Sequence, residues 1–303
     1  GAGRTRASIA ADHAVRQLEA ATLAGAFSEG GGTVAPGDVE PRRNLLKTDA
    51  RELMQSEFRV LHRLKDEEGF PKVIFFGHQE LLGHESMVMI MPLMGSTIAD
   101  LHWDTSHGGG MHPEKLLVLG HQMLTLMERL HSHSVVHRDI KPENFLMSGP
   151  GSQGSLCLID MGLAFLADEE EEERCTEEAS GGQDADEGGE KKILFYGTRE
   201  FASLGAHRGD RLSYRDDLES AAYSLSYLAH GHLPWSSDQP LKDIAALKSQ
   251  AAMPSMWQGT VPTRVREGGC PLQALLEHAR SLREGEVPDY SYCKGVLERA
   301  YQR

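Results

Sequence analysis

The run His137-Arg138-Asp139-Ile140-Lys141-Pro142-Glu143-Asn144, followed by Asp160-Met161-Gly162, constrains this chain more than any other stretch. It offers a carboxylate, an ammonium and an amide oxygen at short spacing, and then a second carboxylate on the separate strand-like text Leu156-Cys157-Leu158-Ile159-Asp160. Phosphoryl transfer needs these groups and little covalent help. The incoming hydroxyl must be held in line, its proton accepted, and the phosphate charge neutralised. Asp139 suits the hydroxyl proton, and Lys141 suits the transferring phosphate. Asn144 and Asp160 supply the oxygen ligands that a hard ion such as Mg²⁺ prefers. A chance His-Arg-Asp on a surface loop would carry neither the eight-residue pattern, nor the Asp-x-Gly at a fitting distance, nor the long amphipathic helix before it.

Bulk properties exclude several other classes. A formal net charge of −14 argues against a general nucleic-acid binder, which needs clustered Lys and Arg. No stretch reaches the roughly 18 apolar residues of a membrane span, so no membrane partner is expected. Cys157, Cys175, Cys270 and Cys293 are far apart, which suits free thiols in a reducing compartment, cytoplasm or nucleus. His131 and His133 lack metal-ligand spacing and read as surface histidines. The chain opens Gly-Ala-Gly-Arg and shows no signal-peptide pattern, so it reads as a fragment or excised domain, expected to act as a monomer.

Along the chain, residues 1–36 form a poorly defined segment with at most a helix around Ala10 to Leu23. Residues 48–65 read as an amphipathic helix through Leu53, Met54, Phe58, Leu61 and Leu64, with Thr48 or Asp49 as its cap. Short apolar runs at 72–76 and 86–91 read as buried strands. Residues 113–131 are the clearest helix, with Pro113 in its first turn and Leu116, Leu119, Met123, Met127 and Leu130 on one face. Further helices are expected at 216–230, 241–250 and 271–283. Strands with one helix first and mostly helices later predict an α+β chain of two lobes. The expected division is 37–94 for a small mixed lobe with its connector and 95–303 for a larger helical one. Residues 168–190 hold twelve Asp or Glu and almost nothing apolar, and read as a solvated loop.

The segments HRDIKPENFLM, IDMGLAF, GTREFASLGAHRG, SYRDDLESAAYSLSYLAHGHLPW and VPDYSYCKGVLERAY resemble, in order, segments of casein kinase I relatives. The likeness runs from about Gly69 to the C-terminus. It is marked by GT-x-x-F/Y-AS in place of the usual Ala-Pro-Glu segment and by DDLES heading the next helix. It implies the two-lobed protein kinase fold, ATP and Mg²⁺ as cofactors, and transfer to Ser or Thr of protein substrates, including acidic ones. It further implies that Met91 is the gatekeeper and Pro92 to Met94 the adenine hinge. There the Pro92 carbonyl would accept from the adenine amine and the Met94 N–H would donate to the ring. The plainer reading of these residues is a buried strand and turn. Asp217 is implied to tie down the catalytic-loop backbone, with helix N-capping as the other reading.

The small lobe departs from the family pattern. Glu57 falls where the family's helix Glu pairs with a phosphate-binding Lys. The text where that Lys belongs, Val34 to Glu40, carries Asp38, while Arg43 and Lys47 are the nearby cations. A Gly-x-Gly-x-x-Gly phosphate loop is not found there. The match at Gly149, Gly151 and Gly154 reads as a turn between strands. Glu200 stands at the family's Arg position, and the stretch just after Trp235, residues 236–250, holds only Lys242 and Lys248 as basic groups. The acidic run at 168–190 lies inside the activation segment, where it is either a brake competing with acidic substrates or a solvated insertion. Two functions therefore stay open: a working Ser/Thr kinase, or a pseudokinase scaffold that keeps the fold.

Overall fold

The computed structural model describes residues 50–81, 83–107, 109–148, 154–169, 195–250 and 270–301. The expectations at Ala10 to Leu23, Asp38, Arg43, Lys47 and the cap at Thr48 or Asp49 lie outside these residues, as does the acidic run beyond Glu169.

Helix α1 (Ala50–Arg63) forms where the three- and four-residue apolar spacing predicts it. Val60, Leu61 and the following Leu64 are buried. Beyond its end the Lys72 ammonium donates to the carbonyls of Leu64, Lys65 and Glu67. Backbone acceptors left over at a helix end need such partners.

Strands β1 (Phe75–Leu81) and β2 (His84–Ile90) pair antiparallel, with Phe75 opposite Ile90 and Leu81 opposite His84. The first strand thus begins later than the apolar run at 72–76. Lys72 is spent on the carbonyls after α1, and the ladder continues instead through the polar text Gly77 to Glu80. Polar residues suit it because this hairpin stays partly exposed and its ladder bonds are made by backbone. The Phe58 ring stacks on Phe76 at 4.2 Å and 8°, which seats α1 against the hairpin.

The larger body begins with α2 (Ile98–Ser106), whose Thr97 and Asp100 make a reciprocal capping box. Helix α3 (Pro113–Ser132) buries Leu116, Met123, Met127 and Leu130, the stripe that the sequence predicts. Two short strand pairs follow. β3 (Val135–Val136) pairs with β6 (Phe165–Leu166), and β4 (Phe145–Met147) pairs antiparallel with β5 (Leu156–Leu158). The Gly149 to Gly154 stretch therefore joins two paired strands, as expected, although only Gly154 of its glycines is described.

Helices α4 (Leu204–Arg208), α5 (Tyr214–His230), α6 (Leu241–Gln250), α7 (Pro271–Ser281) and α8 (Tyr290–Tyr301) complete the body. Helix α5 is buried along most of its length, including Leu218, Ala221, Ala222, Tyr223, Leu225 and Leu228. It packs between α3 and α7, while α8 packs on α3. A helix buried on nearly every side, polar residues included, belongs in the middle of a core, and the catalytic loop is tied to this one through Asp217 and Ser224.

Candidate active site

The loop from His137 to Asn144 is held from below by one carboxylate. Asp217 Oδ2 accepts from the His137 N–H at 2.7 Å, and Oδ1 accepts from the Arg138 N–H at 2.8 Å. The family-implied role of Asp217 is thus the one observed. Capping of α5 is done next door, where Ser213 and Asp216 form a capping box. Burial alone would push the Asp217 carboxyl up. The hydrogen bond and charge of His131, then those of His137, outweigh it and hold the group below its ordinary range.

His131 corrects the surface reading. It is 3% exposed. Its Nε2 meets Asp217 Oδ2 at 3.0 Å and its Nδ1 meets the Tyr290 hydroxyl at 2.7 Å. The two partners fix the ring's orientation, with the carboxylate on the Nε2 side and the phenol on the Nδ1 side. A histidine near a helix end looks exposed in sequence. Its partners here are 86 and 159 residues away, beyond any local pattern.

Two residues of the site have left-handed backbone, Arg138 at φ 67° and Asp160 at φ 65°. For non-glycine residues this costs on the order of 1–3 kcal/mol each and persists only where surroundings enforce it. Arg138 is enforced by Asp217 and by its own Nε, which donates to the Leu163 carbonyl at 2.6 Å. Its guanidinium lies 4.6 Å from the Phe165 ring centre and 4.5 Å from that of Tyr196. Asp160 begins a short 3₁₀ turn and accepts from the Gly162 N–H.

The catalytic candidates converge. Lys141 Nζ donates to Asp139 Oδ2 at 2.6 Å and to Thr198 Oγ1 at 2.9 Å, and Thr198 Oγ1 donates to Asp139 Oδ1 at 2.8 Å. Thr198 lies in the GT segment, and only its placement reveals a role. Gly197, at φ +90°, permits this approach, since a Cβ there would lie 2.6 Å from the Arg138 carbonyl. Asn144 Nδ2 donates to the Asp139 carbonyl at 2.9 Å, and the Ile159 N–H donates to the Asn144 carbonyl at 2.9 Å. His137 Nε2 reaches the Ile159 carbonyl at 3.0 Å. The Asp139 loop and the Asp160 strand are therefore stitched side by side.

Asn144 and Asp160 fit a hard cation by their chemistry. The Asn144 amide nitrogen is spent on a carbonyl, which leaves its oxygen as the free acceptor. The Asp160 side chain has a single bond at 3.4 Å and is otherwise open to solvent. Glu57 faces the same place from α1. Burial raises its carboxyl, the Asp160 carboxylate raises it further, and a bond from the Met161 backbone offsets part of this.

The connector runs beside the catalytic loop. The Gly95 N–H donates to the Met147 carbonyl at 2.8 Å, and the Met147 N–H donates to the Ser96 carbonyl at 2.9 Å. Met91 directly follows β2 and packs on the core; Pro92 is exposed and Met94 partly buried. Lys248, expected among the basic groups left for substrate, is instead fully buried. Lys242 and Arg199 are exposed, and Glu200 is half-buried with its carboxyl raised by that burial. The first acids of the acidic run turn to α1: Asp168 forms a two-pronged pair with Arg63 at 2.8 and 2.7 Å, and Glu169 lies 3.5 Å from Arg59.

A stitched Asp–Lys–Asn loop beneath a buried helix, with a second Asp just past the adjoining strand β5, defines a phosphotransferase site of the protein kinase class. Residues 31–266 match the model of the protein kinase domain, and the chain belongs to that family. Casein kinase 1-like protein HD16 of Oryza sativa subsp. japonica is 34% identical over 250 residues, which are 80% of this chain and 32% of that protein. The resemblance to casein kinase I relatives is thereby borne out. The chain spans about a third of the length of this curated relative. Protein kinases in general use ATP and Mg²⁺ and act on proteins.

Proposed function

We propose that this chain is a Ser/Thr protein kinase domain of the casein kinase I kind that moves the γ-phosphoryl group of ATP to hydroxyls of protein substrates. The observation that carries the reading is the closed arrangement of Asp139, Thr198 and Lys141, held rigid by Asp217. Asp139 orients the incoming hydroxyl and takes its proton as the new P–O bond forms and the bond to ADP breaks. Lys141 places positive charge beside the moving phosphoryl group. Asn144 and Asp160 are the residues that would hold Mg²⁺. When bound, the ion neutralises phosphate charge.

Met91, Pro92 and Met94 serve the adenine end, and Glu57 serves to orient a phosphate-binding cation, for which Arg43 and Lys47 are the candidates. The lobes divide at 37–94 and 95–303. Acidic protein sites are the proposed substrates, with exposed Arg199 and Lys242 in support and Glu200 opposing. The free thiols Cys157, Cys270 and Cys293 support a reducing compartment, cytoplasm or nucleus. A single chain is expected to suffice, which sedimentation would check. The scaffold reading draws support from no particular contact among the described residues.

Transfer of labelled phosphate from Mg–ATP to casein tests the assignment. Asp139→Asn is expected to lower kcat by about 10²–10⁴-fold, the usual worth of a positioned base. An Asp139→Asn protein as fast as wild type would overturn the role of that carboxylate.

A further inference from the structure

The Lys248 ammonium takes no part in the phosphoryl transfer described above, yet it is among the largest fully buried side chains. A buried ammonium costs several kcal/mol unless its donors are satisfied. Here Nζ donates to the Ala202 carbonyl at 2.6 Å, to the Arg199 carbonyl at 2.9 Å, and to His207 Nε2 at 3.1 Å. The rings of Tyr223 and Trp235 lie 4.9 and 5.3 Å from it. Behind them Glu219 accepts from the Tyr223 hydroxyl at 2.6 Å and from Arg280 at 3.1 Å. Burial pushes Lys248 down to about 7, with Glu219 and Glu200 opposing and Arg280 assisting. Even a neutral amine keeps two N–H donors, enough for both carbonyls.

What this side chain grips is the segment that carries Thr198. The carbonyl between its two targets, that of Glu200, accepts from Trp235 Nε1 at 2.8 Å. The N–H groups of Phe201 and Ala202 turn back to the Thr198 carbonyl at 2.9 and 2.8 Å. The segment is thus fixed from the α5–α6 side by three carbonyls. At its other end the Thr198 hydroxyl bridges Asp139 and Lys141.

We propose that Lys248 is a positioning residue for phosphoryl transfer to protein substrates. By holding the carbonyls of Arg199 and Ala202, it fixes residues 198–202 beside Asp139, where an incoming hydroxyl-bearing chain must pass. This rests on the kinase reading. It predicts that loss of the grip damages protein phosphorylation and leaves nucleotide binding intact.

Lys248→Met keeps the length and the apolar stem and removes the donors. Its kcat/KM for casein is expected to fall about tenfold or more, the equivalent of roughly 1.4 kcal/mol. The rise in melting temperature with Mg–ATP should stay as in wild type, and amide exchange should quicken at 198–202 but not in α3 or α5. Unchanged turnover of casein with 198–202 still protected would overturn the proposal. So would a parallel loss of the Mg–ATP response and casein turnover, which general destabilisation would produce. Should Lys248→Met fail to fold, Trp235→Phe removes the bond to the Glu200 carbonyl and keeps a smaller aromatic ring at the position beside Lys248 and Tyr223. It should act in the same direction by about threefold, within the worth of one neutral hydrogen bond; no change in turnover or exchange would overturn the grip. If wild type itself transfers no phosphate to casein, the kinase reading fails, and the exchange data alone decide whether Lys248 orders the segment.

Discussion

Asp217 holds two backbone N–H groups and a buried imidazole with one carboxylate that is 1% exposed. Removing it strands all three. Asp217→Ala is expected to destabilise by about 3–5 kcal/mol, the cost of breaking a buried hydrogen-bonded charge by deleting one partner. The shift of the urea unfolding midpoint at constant slope would measure it. Asp217→Asn should cost less, because its side-chain oxygen still accepts from one of the two amides. A loss under 1 kcal/mol in the alanine variant would deny Asp217 its place beneath the loop. The neighbouring carboxylate, Asp216, caps the helix instead, accepting from Ser203 Oγ at 2.7 Å and from the Ser213 N–H at 2.8 Å. Adjacent acids at a helix start look interchangeable in sequence. The direction of each side chain separates a cap from a tie.

Among the elements, short α4 shows how burial sets a protonation state. Burial, followed by the Lys248 charge, pushes the His207 imidazole from its ordinary value near 6.5 down to about 4. The unfolded chain therefore binds an extra proton between those values. The stability contributed by this group is present above the unfolded value and is lost as pH falls from about 6.5 to 4. The melting-temperature difference between wild type and His207→Gln should accordingly shift against wild type as pH falls through that window. A constant difference would contradict it. The tie from α1 to the activation segment works differently, because Arg63 and Asp168 keep 34% and 41% of their side-chain surface in water. Exposed pairs contribute about 0–1 kcal/mol, so this one steers α1 and adds little stability.

For the molecule as a whole, a nucleotide in the proposed site would bind only the folded state. Mg–ATP at a hundred times its Kd is expected to stabilise by about 2.7 kcal/mol, seen as a rise in melting temperature. Asp160→Asn should diminish that rise by weakening the proposed hold on Mg²⁺, and an equal rise in both proteins would remove Asp160 from the proposed metal site.

The sequence alone determined the candidate catalytic set and the helical body. Asp139, Lys141 and Asn144 are named by one short run whose spacing has a chemical reason, and Asp160 by the Asp-Met-Gly that follows it. The stripe of α3 and the apolar length of α5 follow from helical periodicity. Strand ends were less legible, because β1 is completed by backbone pairing through polar residues that carry no apolar signal. Tertiary structure alone decided the partners of His131, Thr198 and Lys248. Each is an ordinary polar residue until folding brings it against groups far away in the chain. Burial then decides its role, because a polar group removed from water must bond to whatever the fold places beside it.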